Sequence, residues 1–177
     1  SYALFLTMGV LSYWIVSGVW TVSEVQSSFM YSGLLETMVS NVRNALSDIS
    51  VATANYVPEI EAELDHPDNL QPLMERMVNF NPHIRSCGIS FVADYYPQKG
   101  HAFCPYAYRE EDGSVVTNNK QKHSDNYLQA DWFREALAAD STYWSKPFFD
   151  GHSGKTPLTA YMMPIHDRQG KIVAILG

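Results

Sequence analysis

Basic clusters are missing from this chain. Its 12 lysines and arginines are scattered, its 19 acidic residues leave a formal net charge of −7, and the isoelectric point is about 5.2. A phosphate backbone is held by grouped cations, so a nucleic-acid partner is excluded. Cysteine is scarce, with only Cys87 and Cys104. No C-x-x-C occurs, which removes the usual zinc-ribbon arrangement. The pair leaves two readings open: a disulfide if the domain lies outside the cytoplasm, or two small buried apolar side chains. Catalytic signatures are absent as well. There is no G-x-S-x-G and no H-E-x-x-H, and His66, His83, His101, His123, His152 and His166 show no metal-ligand spacing. Ser153 beside His152 is adjacency in sequence, not a dyad. Nothing calls for a cofactor or a metal, and no enzyme is expected within these residues. If the complete protein is an enzyme, its catalytic part is expected after Gly177.

Charge is also absent from Ser1 to Val22, SYALFLTMGVLSYWIVSGVWTV. Crossing the hydrocarbon core takes about 20 apolar residues, so residues 1–21 are expected to form a transmembrane helix. Trp14 and Trp20 suit the interface belt. A signal segment would need a shorter apolar core behind a basic region, and a buried core helix is the other alternative. No charged flank precedes Ser1 to orient the span. The chain stops at Gly177 inside a strand-like run, as expected for a fragment of something longer.

GHSGKT, residues 151–156, imitates the end of a phosphate-binding loop. The motif GxxxxGK[ST] would require glycine at 149, where Phe149 stands, and a helix after the threonine. Pro157 and the β-prone run to Met163 follow instead. The stretch reads as a glycine-rich connection between strands.

Apolar periodicity organises the rest. Val25, Phe29, Leu35, Met38, Val42, Leu46, Ile49, Ala52 and Tyr56 recur at helical spacing, which predicts one long amphipathic helix over Thr21–Tyr56. At ~1.5 Å per residue it would reach about 50 Å, as a stalk over residues 22–57. Pro58 and EIEAELDHPD are expected to break it, with a second helix from Asp68. Strands follow over Cys87–Ala93 and Ala102–Tyr108, joined by a Pro97–Gly100 turn. A turn at Glu111–Gly113, a short helix Trp132–Ala139 and strand-like runs from Tyr143 to Leu176 complete the chain. Long helices followed by an antiparallel meander with helical insertions make an α+β fold, with residues 58–177 as the ligand-binding module.

The series Asp131-Trp132-Phe133-Arg134-Glu135-Ala136-Leu137, Trp144-Ser145-Lys146-Pro147-Phe148-Phe149-Asp150, Gly154-Lys155, Met163-Pro164-Ile165-His166-Asp167 and Gly170–Gly177 resembles the double Cache family of bacterial sensor domains. The resemblance implies a membrane-distal, PAS-like module outside the cytoplasm, periplasmic or extracellular, hung from an inner or plasma membrane helix by a stalk. It implies a homodimer through that stalk, feeding a histidine kinase, a chemoreceptor or a similar output. GHSGKT then borders a ligand pocket, with His152 at its mouth, and Trp132 stands where the family places a ligand-contacting tryptophan. The amino-acid-binding branch has an arginine two residues before that tryptophan, a tyrosine further upstream and another directly after it. Here these positions hold Ala130, Asp125 and Phe133.

Ligand pockets have apolar walls and a few placed polar groups. Candidate walls are Trp132, Phe133, Phe148 and Tyr161, with Tyr127, Tyr106 and Tyr108 adding hydroxyls. Plain core packing is the alternative for each aromatic, and an N-cap role the alternative for Asp131. Without the arginine there is no bidentate fork for a carboxylate. Asp125, Asp131 and Asp150 beside aromatic rings favour a small cation, so the expected ligand is an amine or another small polar metabolite. A non-sensory interaction or adhesion domain would use exposed aromatics equally well.

Overall fold

In a computed structural model, the backbone of residues 2–117, 127–148 and 157–177 is described, with side chains throughout these except 2–11, 14, 20, 21 and 23–25. The chain forms two compact units, Ser1–Leu46 and Ser47–Gly177. Helix α1, Tyr2–Ala62, runs through both. The first unit is the helical part up to Leu46, and it carries exposed apolar side chains, among them Phe29, Leu34, Leu35, Met38 and Val42. Among the described residues, no helix is long and apolar enough to cross a membrane.

In the second unit, α1 does not stop at Pro58 as its sequence suggests. Proline removes one i→i−4 bond and crowds the preceding turn. Beyond it, however, Ile60 and Leu64 are buried in the core, and burying such side chains contributes about 1.5–3 kcal/mol each. The helix therefore continues to Ala62. Helix α2, Pro67–Phe80, begins one residue earlier than expected because Pro67 occupies the first helical position, where a missing N–H costs nothing. Its apolar face, Leu70, Leu73, Met74, Met77 and Val78, is buried. Arg76 pairs with Glu59 of α1.

Among the described residues, six strands form one antiparallel sheet in the order β3-β2-β1-β6-β5-β4. They are β1 Ser86–Phe91, β2 Tyr106–Arg109, β3 Val115–Thr117, β4 Tyr143–Trp144, β5 Tyr161–His166 and β6 Ile172–Leu176. β1 and β2 are shorter than their apolar runs, and a 3-10 turn, Pro97–Lys99, lies between them. Helix α3, Asp131–Ala139, precedes β4.

Alternation along the strands separates two faces. On the first, Ile89, Phe91, Ala174, Leu176 and Ile165 form the main core with α2 and the end of α1. On the second, Met162 and Ile175 form a smaller core with Phe133 and Ala136 of α3 and with Tyr127. The expected α+β fold, a long helix followed by an antiparallel sheet with helical insertions, is the one observed.

Candidate functional site

The second face of the sheet is where the aromatic residues and the short helix meet. Helix α3 is amphipathic: Phe133 and Ala136 are buried, while Trp132, one position away, is 41% exposed. Their rings form an edge-to-face pair at 5.5 Å. The helix starts at Asp131 with Ala130 as its N-cap, so Asp131 is not the capping residue. Its carboxylate pairs instead with Arg134, one turn on.

Tyr127, just upstream, is only 7% exposed. Its ring meets Phe133 edge-to-face at 5.0 Å, and its hydroxyl donates to the carbonyls of Phe91 and Phe103, at 2.7 and 3.1 Å. Those bonds tie the entrance of α3 to the end of the β1–β2 pair.

α3 packs against β5 and β6. The β1–β2 half of the same face carries Ser86, Gly88, Tyr106 and Tyr108, all half-buried. Tyr106 and Tyr108 lie side by side with ring centroids 5.9 Å apart. The hydrogen bond of Tyr108 to Glu110 holds its phenol above the ordinary value. Ser90 and Cys104 lie next along the face, with Oγ and Sγ 3.5 Å apart, and burial pushes the Cys104 thiol up. The result is a ledge over β1, with tyrosines on one side and the α3 cluster on the other. Such a surface offers apolar walls with a few polar groups.

The remaining candidates do not gather on this ledge. The β4–β5 register puts Trp144 and Tyr161 opposite each other, on the reverse side from Tyr143 and Met162. Their rings pack at 4.9 Å. Phe148 forms an isolated bridge with Leu158 and is 42% exposed. Asp125, Asp150 and His152 lie outside the described residues.

The cysteine alternatives separate cleanly. Cys87 faces the main core, where its Sγ donates to the Met74 carbonyl at 3.3 Å, whereas Cys104 belongs to the second face. Both thiols are free. Sequence reasoning also passed over Gly88, Gln71 and Met162. An isolated glycine within a strand pattern signals close approach of another group, and Gly88 is such a glycine. Gln71 carried no signal, because its partner lies far along the chain.

Several solved structures share this fold. The periplasmic sensory domain of the Campylobacter jejuni chemoreceptor Tlp1 superposes with a TM-score of 0.59 at 11% identity, covering 78% of this chain and 55% of that one. The extracellular domain of a histidine kinase designated mmHK1S-Z3 gives 0.55 at 17% identity, with 74% and 51% covered. The ligand-binding domain of Mlp24, solved with asparagine, gives 0.51 at 13% identity, with 76% and 49% covered. The chain thus spans about half the length of the solved domains it matches. No curated protein sequence matches it. The sequence model of methyl-accepting chemotaxis protein-like first PDC sensor domains matches residues 70–177. That match takes in β1 to β6, α3 and nearly all of α2. This is the Cache/PDC group the sequence resembled, and the chain belongs to the family of methyl-accepting chemotaxis protein-like first PDC sensor domains.

Proposed function

We propose that this chain is the ligand-sensing part of a transmembrane signalling receptor, lying outside the cytoplasm and anchored through its uncharged N-terminal run. The ligand is a small amine-bearing metabolite, and its binding is relayed through α1 to a kinase, a chemotaxis output or a similar domain. The observation that carries the reading is the ledge over β1, bounded by Tyr106 and Tyr108 on one side and by the α3 cluster on the other, in a chain of a sensor-domain family.

The residues assigned to the ligand are Trp132, Tyr106 and Phe133, with Asp125 and Asp150 supplying negative charge. Asp131 is paired with Arg134, and the proposal assigns the ammonium group to Asp125 and Asp150. Aromatic faces attract the same cation. Ala130 supports the choice, since the position two before Trp132 offers no guanidinium for a carboxylate. A second copy of the chain is proposed to cover the exposed apolar stripe of α1. A ligand changes output only if it binds the two signalling states with different affinity.

A thermal-shift screen of the purified chain against small amines, amino acids and carboxylates tests the ligand class. A ligand that binds only the folded state raises its melting temperature. Stabilisation by amines that disappears in Asp150→Asn is the expected result. Stabilisation by carboxylates alone would overturn the charge argument and point to Lys146, Arg134 or His152. No response from a well-folded sample would favour an interaction or adhesion role.

A further inference from the structure

Tyr106 is held from two directions. Gly88 and Tyr106 are directly opposite in the β1–β2 register. The amide and carbonyl of Gly88 are turned the other way, bonding Gly177 at 3.0 and 2.9 Å. Gly88 and Tyr106 therefore form a non-hydrogen-bonded antiparallel pair, the kind with Cα atoms only about 4.5 Å apart and side chains closest. The tyrosine ring takes up the space: a Cβ on Gly88 would lie 2.8 Å from Tyr106 Cδ2 and 3.3 Å from the Pro105 carbonyl. Any residue but glycine would displace the ring or the strand.

The backbone of Tyr106 is fixed from the opposite edge. The β2–β3 register pairs Ala107 with Thr117, the last residue of β3. Gln71, from α2, takes both backbone groups of Tyr106: its Nε2 donates to the Tyr106 carbonyl at 2.8 Å, and its Oε1 accepts from the Tyr106 amide at 3.2 Å.

We propose that Gln71 and Gly88 are positioning residues that hold Tyr106 in one pose, and that this pose sets which ligands fit on the ledge. This deepens the sensing reading and rests on it. A wall fixed before the ligand arrives loses little side-chain entropy on binding and selects by shape. Gln71 does so from α2, the helix that also pairs with α1 through Arg76 and Glu59.

The test uses the chain labelled with 3-fluorotyrosine, its Tyr106 resonance assigned by the signal lost in Tyr106→Phe. One narrow resonance is expected, shifted or split in Gly88→Ala. Hydrogen exchange at the Tyr106 amide should speed up about tenfold or more in Gln71→Leu, which removes both the donor and the acceptor. A resonance unmoved by Gly88→Ala, or an amide equally protected in Gln71→Leu, overturns the proposal. Should Gly88→Ala fold poorly, its loss of melting temperature should shrink in a Tyr106→Ala background, where the ring is gone. An equal loss in both backgrounds would also overturn it. Ethanolamine and putrescine then serve as ligand probes: a shift of the Tyr106 resonance is expected in the unsubstituted chain and a different or absent one in Gly88→Ala. A ligand shift that persists identically in Gly88→Ala refutes the selecting role. No shift with either amine refutes the amine reading instead, because the exchange and double-substitution results decide the pose on their own.

Discussion

The hydroxyl of Tyr127 lies 2.7 Å from the carbonyl oxygen of Phe91. This bond joins the segment leading into α3 to the end of β1, so the helix bearing Trp132 is referenced to the sheet and not only to its own loop. Tyr127→Phe keeps the ring against Phe133 and removes the donor from a buried carbonyl. The expected cost is about 1–3 kcal/mol of stability, measured by denaturant unfolding. Ligand affinity should fall less than in the Trp132 variant described next, since the ring stays in place.

Trp132 is the reverse case. At 41% exposure it contributes modestly to the core, so Trp132→Ala should lower the melting temperature little. On the proposed function it should weaken amine binding by at least about tenfold, equivalent to ~1.4 kcal/mol, as read by calorimetry. Intact affinity and signalling in Trp132→Ala would place the site elsewhere.

Cys87 and Cys104 lie on different faces of the sheet, and the intact chain should show two reactive thiols after unfolding without reductant. In the native state both should react slowly, because burial raises both thiols above their ordinary value of 9.0. The sign of the linkage follows. Above about pH 9 the unfolded chain gives up thiol protons that the folded chain retains, so folding stability falls as pH rises through that range. Cys87→Ala should flatten this alkaline loss in a pH series of melting temperatures.

Asp140 follows α3 with φ of 41°, in the left-handed region, and its carboxylate oxygen is 2.7 Å from His166 Nε2. Asp140→Gly relieves the backbone and loses the pair, whereas Asp140→Ala loses the pair and keeps the strain. Glycine should therefore be the more stable of the two by about 1 kcal/mol, measured by denaturant unfolding.

Leu35, Met38 and Val42 are exposed on α1. If a second copy covers them, Leu35→Glu with Val42→Glu should convert a dimer to a monomer in sedimentation equilibrium. The unfolding of the sheet-bearing unit should be unchanged. A monomer before substitution would sink the dimer reading.

Most of the secondary structure was legible because it repeats locally. The apolar spacing from Val25 to Tyr56 marked α1, and the strand-like runs Cys87–Ala93 and Lys171–Leu176, bounded by turn residues, marked β1 and β6. Pro58 misled because its local cost is plain in sequence, whereas the burial of Ile60 and Leu64 that offsets it exists only once the core forms. Trp132 and Phe133 were both legible as candidates. Their different fates, one half-exposed and one buried, depend on how α3 is rotated against β5 and β6.

The sequence by itself determined the element types, the absence of basic clusters and of catalytic or metal motifs, and the resemblance that named the family. These depend on neighbours a few residues apart or on residue identity. Only the tertiary structure decided that β1 sits between β2 and β6, that Cys87 and Cys104 face apart, and that Gly88 and Gln71 converge on Tyr106. The reason is parity: side chains alternate along a strand, so long-range register assigns every residue its face, and a one-residue slip would reverse them all.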